Sequence, residues 1–338
     1  MTLRKLLPCL LLIALIVPAS LSAQENNDFY DNVPLKEYPC PKIEIAGEVV
    51  SPGPVDLSPL PLRQILVREA ILKEGKETFV GSYVFQGYSL FDILKERVVA
   101  KKNAAEFPSV IDLFVVVENG KGEKALFSWG EIFYPITPHR ILVAVKAAPI
   151  IPSLTKEVWP LPDSPRVVAA DDLFSERTVD NPTKITVLSA PMSFKVEKGK
   201  SPMNAPTFSL VSAGKTVALF KEPPTEGPFL TMPSVFYGRG KGFHGVTRFS
   251  GRPLRCALEK YLPPTAERLR HGCFIVASDD GYRVVFSYSE LFNRTDNGEF
   301  LLLDKQSEDG GRFTIYPSPD FFSDRAVKSV KEIHYWEF

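Results

Sequence analysis

Short apolar runs separated by turn residues dominate the chain, and this pattern predicts strands more often than helices. Residues 111–117 and 273–278 are two such runs, and each is followed by a turn signal, Asn119-Gly120 or Asp280-Gly281, and a second apolar run. Because tight Gly-containing turns join antiparallel strands, this pattern predicts two hairpins. Further strands are predicted at residues 43–49, 184–187, 208–217 and 332–335.

The predicted helices are short. An amphipathic pattern appears at residues 90–94 and again at 254–258. Ser128 and Ser287 each precede a glutamate by three residues, Glu131 and Glu290, which is the pattern of a helix capping box. We therefore interpret the two glutamates as caps and not as catalytic acids.

An internal repeat organises these elements. The pattern F-x-G-x-x-x-F-x-G-x-x-L occupies residues 79–90 and recurs at 243–254, and two further segments repeat in the same order. A repeat of this length is too long for a solenoid and predicts a duplicated domain. The predicted organisation is an extended lead-in at 24–42, a first domain at 43–190, a Pro-rich linker at 191–206 and a second domain at 207–338.

Residues 1–23 have the pattern of a secretory signal peptide. A basic start is followed by an apolar run from Leu6 to Val17 and by small residues before Gln24. Arg4 is followed by Lys5, so the signal lacks a twin arginine and favours the general secretory route. We therefore expect a periplasmic or secreted protein, without a membrane span in the mature chain.

Composition narrows the function classes. The chain has 40 Lys and Arg against 40 Asp and Glu, which argues against nucleic-acid binding as its main function. The mature chain keeps Cys40, Cys256 and Cys273, and an oxidising compartment would permit a Cys256–Cys273 disulfide, which the sequence leaves open. The cysteines and the four histidines lack the spacing of a zinc site.

Several segments of the two copies, taken together, resemble a known family. The second copy has Phe-Ser-Gly-Arg-Pro-Leu at 249–254, Asp-Gly-Tyr at 280–282, Gly-Gly-Arg-Phe at 310–313 and Val327-Lys328 leading to Ile333. The first copy has fainter versions at 85–90 and 181–185. These segments resemble the molybdopterin-binding domain of sulfite-oxidase-like oxidoreductases. The resemblance implies an α+β fold of two tandem sulfite-oxidase-like domains, each a mixed, sheet-rich core with short helices.

The family's metal ligand is missing from both copies. Active members hold molybdenum through one cysteine thiolate placed between the opening strand and the aromatic-x-Gly segment. No cysteine lies between Gly47 and Gly87, or between Gly214 and Gly251. A soft thiolate ligand is not easily replaced, and cofactor-loaded members are exported folded, by a signal with twin arginines. The resemblance therefore implies degenerate copies, and we predict no catalytic residue, no metal ligand and no cofactor.

The copies differ most in the loop that leads into the repeat motif. The first copy is nearly neutral there, whereas the second places five basic residues among glycines: Arg239, Lys241, His244, Arg248 and Arg252. Glycine lets backbone N–H groups approach an anion, and Arg and Lys add charge-assisted hydrogen bonds. These five residues form a hypothetical site for an anion or a pterin phosphate, and the alternative is an ordinary solvated loop.

Other polar residues carry weaker signals. Arg177 and Arg325 recur in both copies, and we expect them to pair with Glu176, Asp324 or backbone carbonyls. The sequence shows no Gly-x-Ser-x-Gly elbow and no orienting partner for His139. Core packing is the favoured role for Trp129 and Trp159, with a pocket lining as the alternative.

The leading functional hypothesis is an exported, non-catalytic binding or assembly protein. Its expected partners are a small anionic ligand or an exported protein, with no nucleic acid. The alternative hypothesis is a molybdopterin-dependent oxidoreductase that holds its cofactor in the second copy through the five basic residues.

Overall fold

The computed structural model describes residues 33–306 and 308–338, and the predicted signal peptide at 1–23 lies outside them. Between residues 33 and 190 the structure has eleven strands. They are β1 (Lys36–Glu37), β2 (Ile43–Gly47), β3 (Gly53–Val55), β4 (Arg63–Lys73), β5 (Lys76–Ser89), β6 (Leu113–Asn119), β7 (Lys124–Ser128), β8 (Ile141–Pro149), β9 (Arg166–Ala169), β10 (Val179–Asp180) and β11 (Pro182–Ser189).

In the described residues after the Pro-rich segment at 191–206, nine strands follow. They are β12 (Phe208–Ser212), β13 (Lys215–Phe220), β14 (Leu230–Gly238), β15 (Gly242–Pro253), β16 (Gly272–Ser278), β17 (Arg283–Ser287), β18 (Phe300–Leu303), β19 (Thr314–Pro317) and β20 (Val330–Glu337). The α-helices of the described residues have five or six residues each. They are α1 (Leu90–Leu94), α2 (Trp129–Phe133), α3 (Leu254–Leu258), α4 (Ala266–His271) and α5 (Tyr288–Phe292).

The strands form four sheets, and their order repeats between the two halves of the chain. One five-stranded sheet runs β3-β2-β11-β6-β7, and the other runs β13-β12-β20-β16-β17 in the corresponding order. In both, the closing strand lies parallel to the opening strand and antiparallel to the next. The six-stranded sheet contains β10-β9-β8-β5-β4 with β1 beside β8, and the four-stranded sheet runs β14-β15-β18-β19.

The repeat motif lies in the long hairpin strands β5 and β15, and its second glycine is required by a close backbone approach. A Cβ atom on Gly87 would lie 2.1 Å from the carbonyl oxygen of Val143, and one on Gly251 would lie 2.4 Å from that of Leu302. Any side chain at either position would displace the neighbouring strand. The motif therefore encodes strand packing, which both copies need.

Several local predictions are confirmed. The hairpins β6–β7 and β16–β17 form, as do α1 and α3 after the repeat motif. Ser128 and Ser287 each cap a helix and form complete capping boxes with their glutamates. The described part of the chain contains no helix long and apolar enough to cross a membrane.

The predicted fold class, α+β with two tandem sulfite-oxidase-like domains, is wrong. The chain is sheet-rich, with four small sheets arranged like a propeller. One buried cluster runs from Ile43 in the first half to Tyr335 in the second, and another joins Phe114 and Val116 to Ile275 and Val285 across the boundary. Because β6 and β16 are apolar on both faces, the sheets of the two halves pack against each other and share a core. The boundaries proposed at 190 and 207 stay predictions.

Candidate functional site

A buried arginine lies at the boundary between the two halves of the chain. We call this boundary the seam. In the first half, Arg177 binds two carboxylates, with Nη2 2.6 Å from Oδ1 of Asp172 and Nη1 2.8 Å from Oε1 of Glu131. The expected partner, Glu176, instead accepts a hydrogen bond from the backbone N–H of Leu72. Glu176 is therefore not the partner of Arg177, because the guanidinium points inward to the capping-box glutamate. The alternative prediction, a bond to a backbone carbonyl, is confirmed, since Nη1 also donates to the carbonyl oxygen of Leu126 at 3.3 Å.

The second half repeats this arrangement. Arg325 places Nη2 2.6 Å from Oδ1 of Asp320 and Nη1 3.0 Å from Oε2 of Glu290. The side chain of Asp324 does not bind Arg325 and accepts a hydrogen bond from the backbone N–H of Arg239. The prediction of an Arg325–Asp324 pair is wrong for the same reason.

Hydroxyl groups join the two arrangements across the seam. The Ser128 hydroxyl donates to Oε1 of Glu290 at 2.9 Å, and Nη1 of Arg177 lies 3.3 Å from the hydroxyl of Ser287. Gly130 makes room for the other half's arginine, since a Cβ there would lie 2.2 Å from Nη1 of Arg325. Each N-cap serine therefore serves its own helix and contacts the opposite half.

The network contains four carboxylates and two guanidinium groups, and none of these side chains is more than 6% exposed. Burial raises the pKa of Asp172 to about 6, although Arg177 opposes the shift. Burial likewise raises the pKa of Glu290 to about 7, against the attraction of Arg325. An excess of buried carboxylates over cations favours the retention of protons.

A cleft of about 530 Å³, which we call the seam cleft, opens beside Asp172. Its walls come from β4, β5 and the segments around residues 140, 150 and 171 of the first half, and from Thr295 and Asp296 of the second. Arg68 and Ser82 lie directly opposite each other on β4 and β5 in this wall.

The second half has a different surface at the equivalent register. Ser82 of β5 and Val246 of β15 are equivalent, because each lies five residues before the second glycine of the motif. Ser82 faces Arg68 of β4, whereas Val246 faces Val235 of β14. Val235 is 63% exposed and Val246 is 74% exposed. Tyr237 and Phe243 form the next exposed cross-strand pair toward the turn. We call Val235, Tyr237, Phe243 and Val246 the hairpin face.

The basic residues singled out in the sequence all lie on the β14–β15 hairpin. Arg239 is at the turn, where its Nη1 donates to the Tyr134 hydroxyl at 3.2 Å and its guanidinium lies 6.0 Å from the Phe322 ring centre. Lys241 follows in the same turn, is exposed, and forms no hydrogen bond or ion pair with the described residues.

The other three are distributed along β15. His244 lies next to the turn, with its ring 5.6 Å from that of Phe236. Arg248 is exposed on the strand, and Arg252 donates to the backbone carbonyl of Gly227 at the far end. At a rise of about 3.4 Å per residue, His244 and Arg252 are separated by about 27 Å. The structure brings all five to one hairpin, but the five do not surround one small ligand.

Sequence reasoning missed the partner of His139. Its Nδ1 lies 3.0 Å from the Ser89 hydroxyl and 3.3 Å from Oδ2 of Asp92. These are the residue types of a catalytic triad, although a triad binds its serine and its carboxylate to opposite ring nitrogens. Ser89 is fully buried, however, and its hydroxyl caps α1 and donates to Asp92. Burial also lowers the pKa of His139. A hydroxyl that no substrate can reach is a cap, so this constellation is structural.

The cysteines and basic residues do not fit a molybdopterin centre. Cys40, Cys256 and Cys273 are free, so the disulfide that the sequence left open is not formed. Burial raises the pKa of Cys256 and of Cys273, which keeps both as thiols, and neither lines the seam cleft. No group of three metal-ligating side chains occurs within residues 33–306 and 308–338. The five basic residues are too dispersed to enclose a pterin phosphate.

Trp129 and Trp159 pack against other aromatic side chains. Trp129 is buried and stacks on Phe133 with ring centres 4.4 Å apart, and Trp159 meets Phe79 edge to face at 5.0 Å. Trp159 also packs on a buried cluster formed by strands of the six-stranded sheet. Neither lines the seam cleft.

Comparisons with known proteins leave the family open. No protein-family model matches the chain, and no curated protein matches it. One solved structure with weak similarity is the sulfane dehydrogenase SoxCD from Paracoccus pantotrophus, at 11% identity and a TM-score of 0.31. The match covers 88% of this chain and 78% of that one. At this TM-score the likeness carries no argument about activity.

Proposed function

We propose that the protein is an exported, non-catalytic binding protein that docks an acidic partner protein on the hairpin face. The observation that carries the proposal is the exchange of the Arg68–Ser82 pair for the exposed Val235–Val246 pair at the same register. Exposed valine side chains interact poorly with water. A partner protein that covers them removes this apolar surface from water, which stabilises the complex.

The positive charge of the β14–β15 hairpin favours an acidic partner. Residues 228–253 contain Arg239, Lys241, Arg248 and Arg252 and no aspartate or glutamate. Arg239 is held in place by Tyr134 and by the backbone bond to Asp324, whereas Lys241 and Arg248 have no counter-ion in the described chain. Cations around an apolar centre favour a partner with carboxylates around apolar side chains.

The shape of the surface favours an extended partner over a small anion. The basic residues follow the hairpin from its turn to its base, so one small ion contacts only one or two of them. Aromatic side chains and arginines are the residue types that contribute most at protein interfaces. Tyr237 and Phe243 provide the aromatic part next to Lys241.

The test uses the acidic, aromatic copolymer poly(Glu,Tyr) as the probe, with binding measured by fluorescence anisotropy at two salt concentrations. We expect binding that weakens with salt, that falls in Lys241→Glu/Arg248→Glu, and that also falls in Val235→Ser/Val246→Ser. The matched control is Lys73→Glu/Lys76→Glu, which reverses two charges at the turn of the equivalent β4–β5 hairpin and should leave binding unchanged.

Three results would contradict the proposal. Equal loss in the control variant would show non-specific charge attraction. Equal affinity for poly-glutamate would show that the apolar residues contribute nothing. Binding to phosphatidylglycerol vesicles but not to the copolymer would assign the hairpin face to a membrane surface.

A further inference from the structure

We infer that the seam cleft binds a small organic anion, a carboxylate on a compact apolar body, between Arg68, Ser82 and Arg140. The inference does not depend on the hairpin face or on its partner. It rests on the polar groups that the cleft leaves without a protein partner and on the apolar residues beside them.

Arg68 is the cation of the cleft that lacks a counter-ion. Its guanidinium forms no hydrogen bond or ion pair within the described residues, although it lines a cleft with three aspartates. Each aspartate is already bound to another arginine: Asp171 to Arg140 at 2.9 Å, Asp172 to Arg177 at 2.6 Å, and Asp296 to Arg294 through two hydrogen bonds. The positive charge of Arg68 is therefore uncompensated at the cleft wall.

Two more donors face the same space. The Ser82 hydroxyl, directly across the strand pair from Arg68, donates to no described residue. Arg140 uses its Nε on Asp171, and its two Nη nitrogens bind no acceptor among residues 33–306 and 308–338. A guanidinium fork binds a carboxylate through two parallel hydrogen bonds, and a neighbouring hydroxyl adds a third.

Beside these polar groups, part of the cleft wall is apolar. Leu66, Val67, Ile150 and Ala170 line the cleft, and its volume of about 530 Å³ lies in the range of small-molecule sites. Strongly hydrated anions such as sulfate gain nothing from these side chains, whereas an aromatic or branched carboxylate buries its apolar part against them. The combination selects an organic acid over an inorganic ion.

The internal repeat suggests a substitution of Arg68 that should preserve the fold. Val235 occupies the position equivalent to Arg68, so a valine is accommodated on this strand at this register. Arg68→Val removes the free cation and keeps a strand-forming residue. Lys73→Val, at the end of the same strand and outside the cleft, is the matched control.

The experiment titrates the full mature chain into 4-fluorobenzoate and follows the ¹⁹F line width. We expect saturable binding that benzoate displaces, that benzamide and inorganic phosphate do not displace at equal concentration, and that Arg68→Val weakens by about tenfold or more. Lys73→Val should bind as wild type does, and the thermal midpoint of Arg68→Val should show that it folds.

Each contrary result has a defined meaning. Displacement by benzamide as effective as by benzoate would reduce the site to an apolar surface. Displacement by phosphate as effective as by benzoate would make it an inorganic-anion site. Equal affinity of a folded Arg68→Val and wild type, or no saturable binding of 4-fluorobenzoate, would overturn the inference.

Discussion

The hydroxyl of Ser128 lies 2.9 Å from Oε1 of Glu290, so the N-cap of one helix contacts the capping-box carboxylate of the other half. The same glutamate accepts two hydrogen bonds from Arg325 and one from the backbone N–H of Ser287. A residue whose local role is to begin α5 therefore also holds the two halves together. This double role makes the seam the place where substitutions should have the largest effect.

Removal of one seam cation should be strongly destabilising. Arg325→Met leaves Asp320 and Glu290 buried without their counter-ion, and loss of one partner of a buried ion pair costs about 3–5 kcal/mol. Arg312→Met, which breaks the exposed pair with Glu222, should cost far less, because solvent screens an exposed pair. Urea unfolding measures both, and similar losses in the two variants would contradict the structural role of Arg325.

Stability should depend on pH through the seam carboxylates. Asp172 and Glu290 have pKa values of about 6 and about 7 in the folded chain, above the ordinary values of 3.8 and 4.5. Between about pH 4 and pH 7 the folded state thus binds more protons than the unfolded state. The stabilisation that these two protons provide is complete below pH 4 and is lost as the pH rises through 7.

The variant Glu290→Gln isolates this effect. Glutamine accepts the same backbone hydrogen bond from Ser287 but does not titrate. Between pH 4.5 and pH 7.5, the free energy of unfolding should fall less in Glu290→Gln than in wild type. A pH dependence identical in the two proteins would show that Glu290 keeps an ordinary pKa.

Substitution of the second glycine of the repeat motif should destabilise the protein. Gly87→Ala places a Cβ 2.1 Å from the Val143 carbonyl oxygen, so β8 must move away from β5, and we expect a loss of about 2 kcal/mol or more. Gly120→Ala, in the β6–β7 turn, meets no atom within 4 Å and serves as the control. Thermal unfolding measures both, and equal midpoints for the two variants would refute the packing explanation of the motif.

Exposed valines should be replaceable without loss of stability. Val235→Ser and Val246→Ser remove side chains that are 63% and 74% exposed, so each should change the free energy of unfolding by about 0.5 kcal/mol or less. Val284→Ser, which alters a fully buried position in β17, should cost several times more. A large loss at Val235 or Val246 would mean that the hairpin face is a folding surface and not a docking surface.

Local structure followed from the sequence because its signals are local. Apolar runs and Gly-containing turns predicted the hairpins β6–β7 and β16–β17, and Ser-x-x-Glu predicted both capping boxes. The basic residues of the β14–β15 hairpin were also visible, since their glycines and charges are adjacent in the chain. The remaining features of the site join residues far apart in sequence.

The sequence by itself determined the β6–β7 and β16–β17 hairpins, the opening and closing strands of the two five-stranded sheets, the caps and the internal repeat, because apolar runs, Gly-containing turns and capping act over a few residues. Only the tertiary structure decided how the four sheets pack, which carboxylates Arg177 and Arg325 bind, and that Arg68 faces a cleft while Val235 faces solvent. The physical reason is that the same set of strands can pack into sheets in several arrangements. Which arrangement forms depends on complementary faces and buried charges contributed by both halves at once.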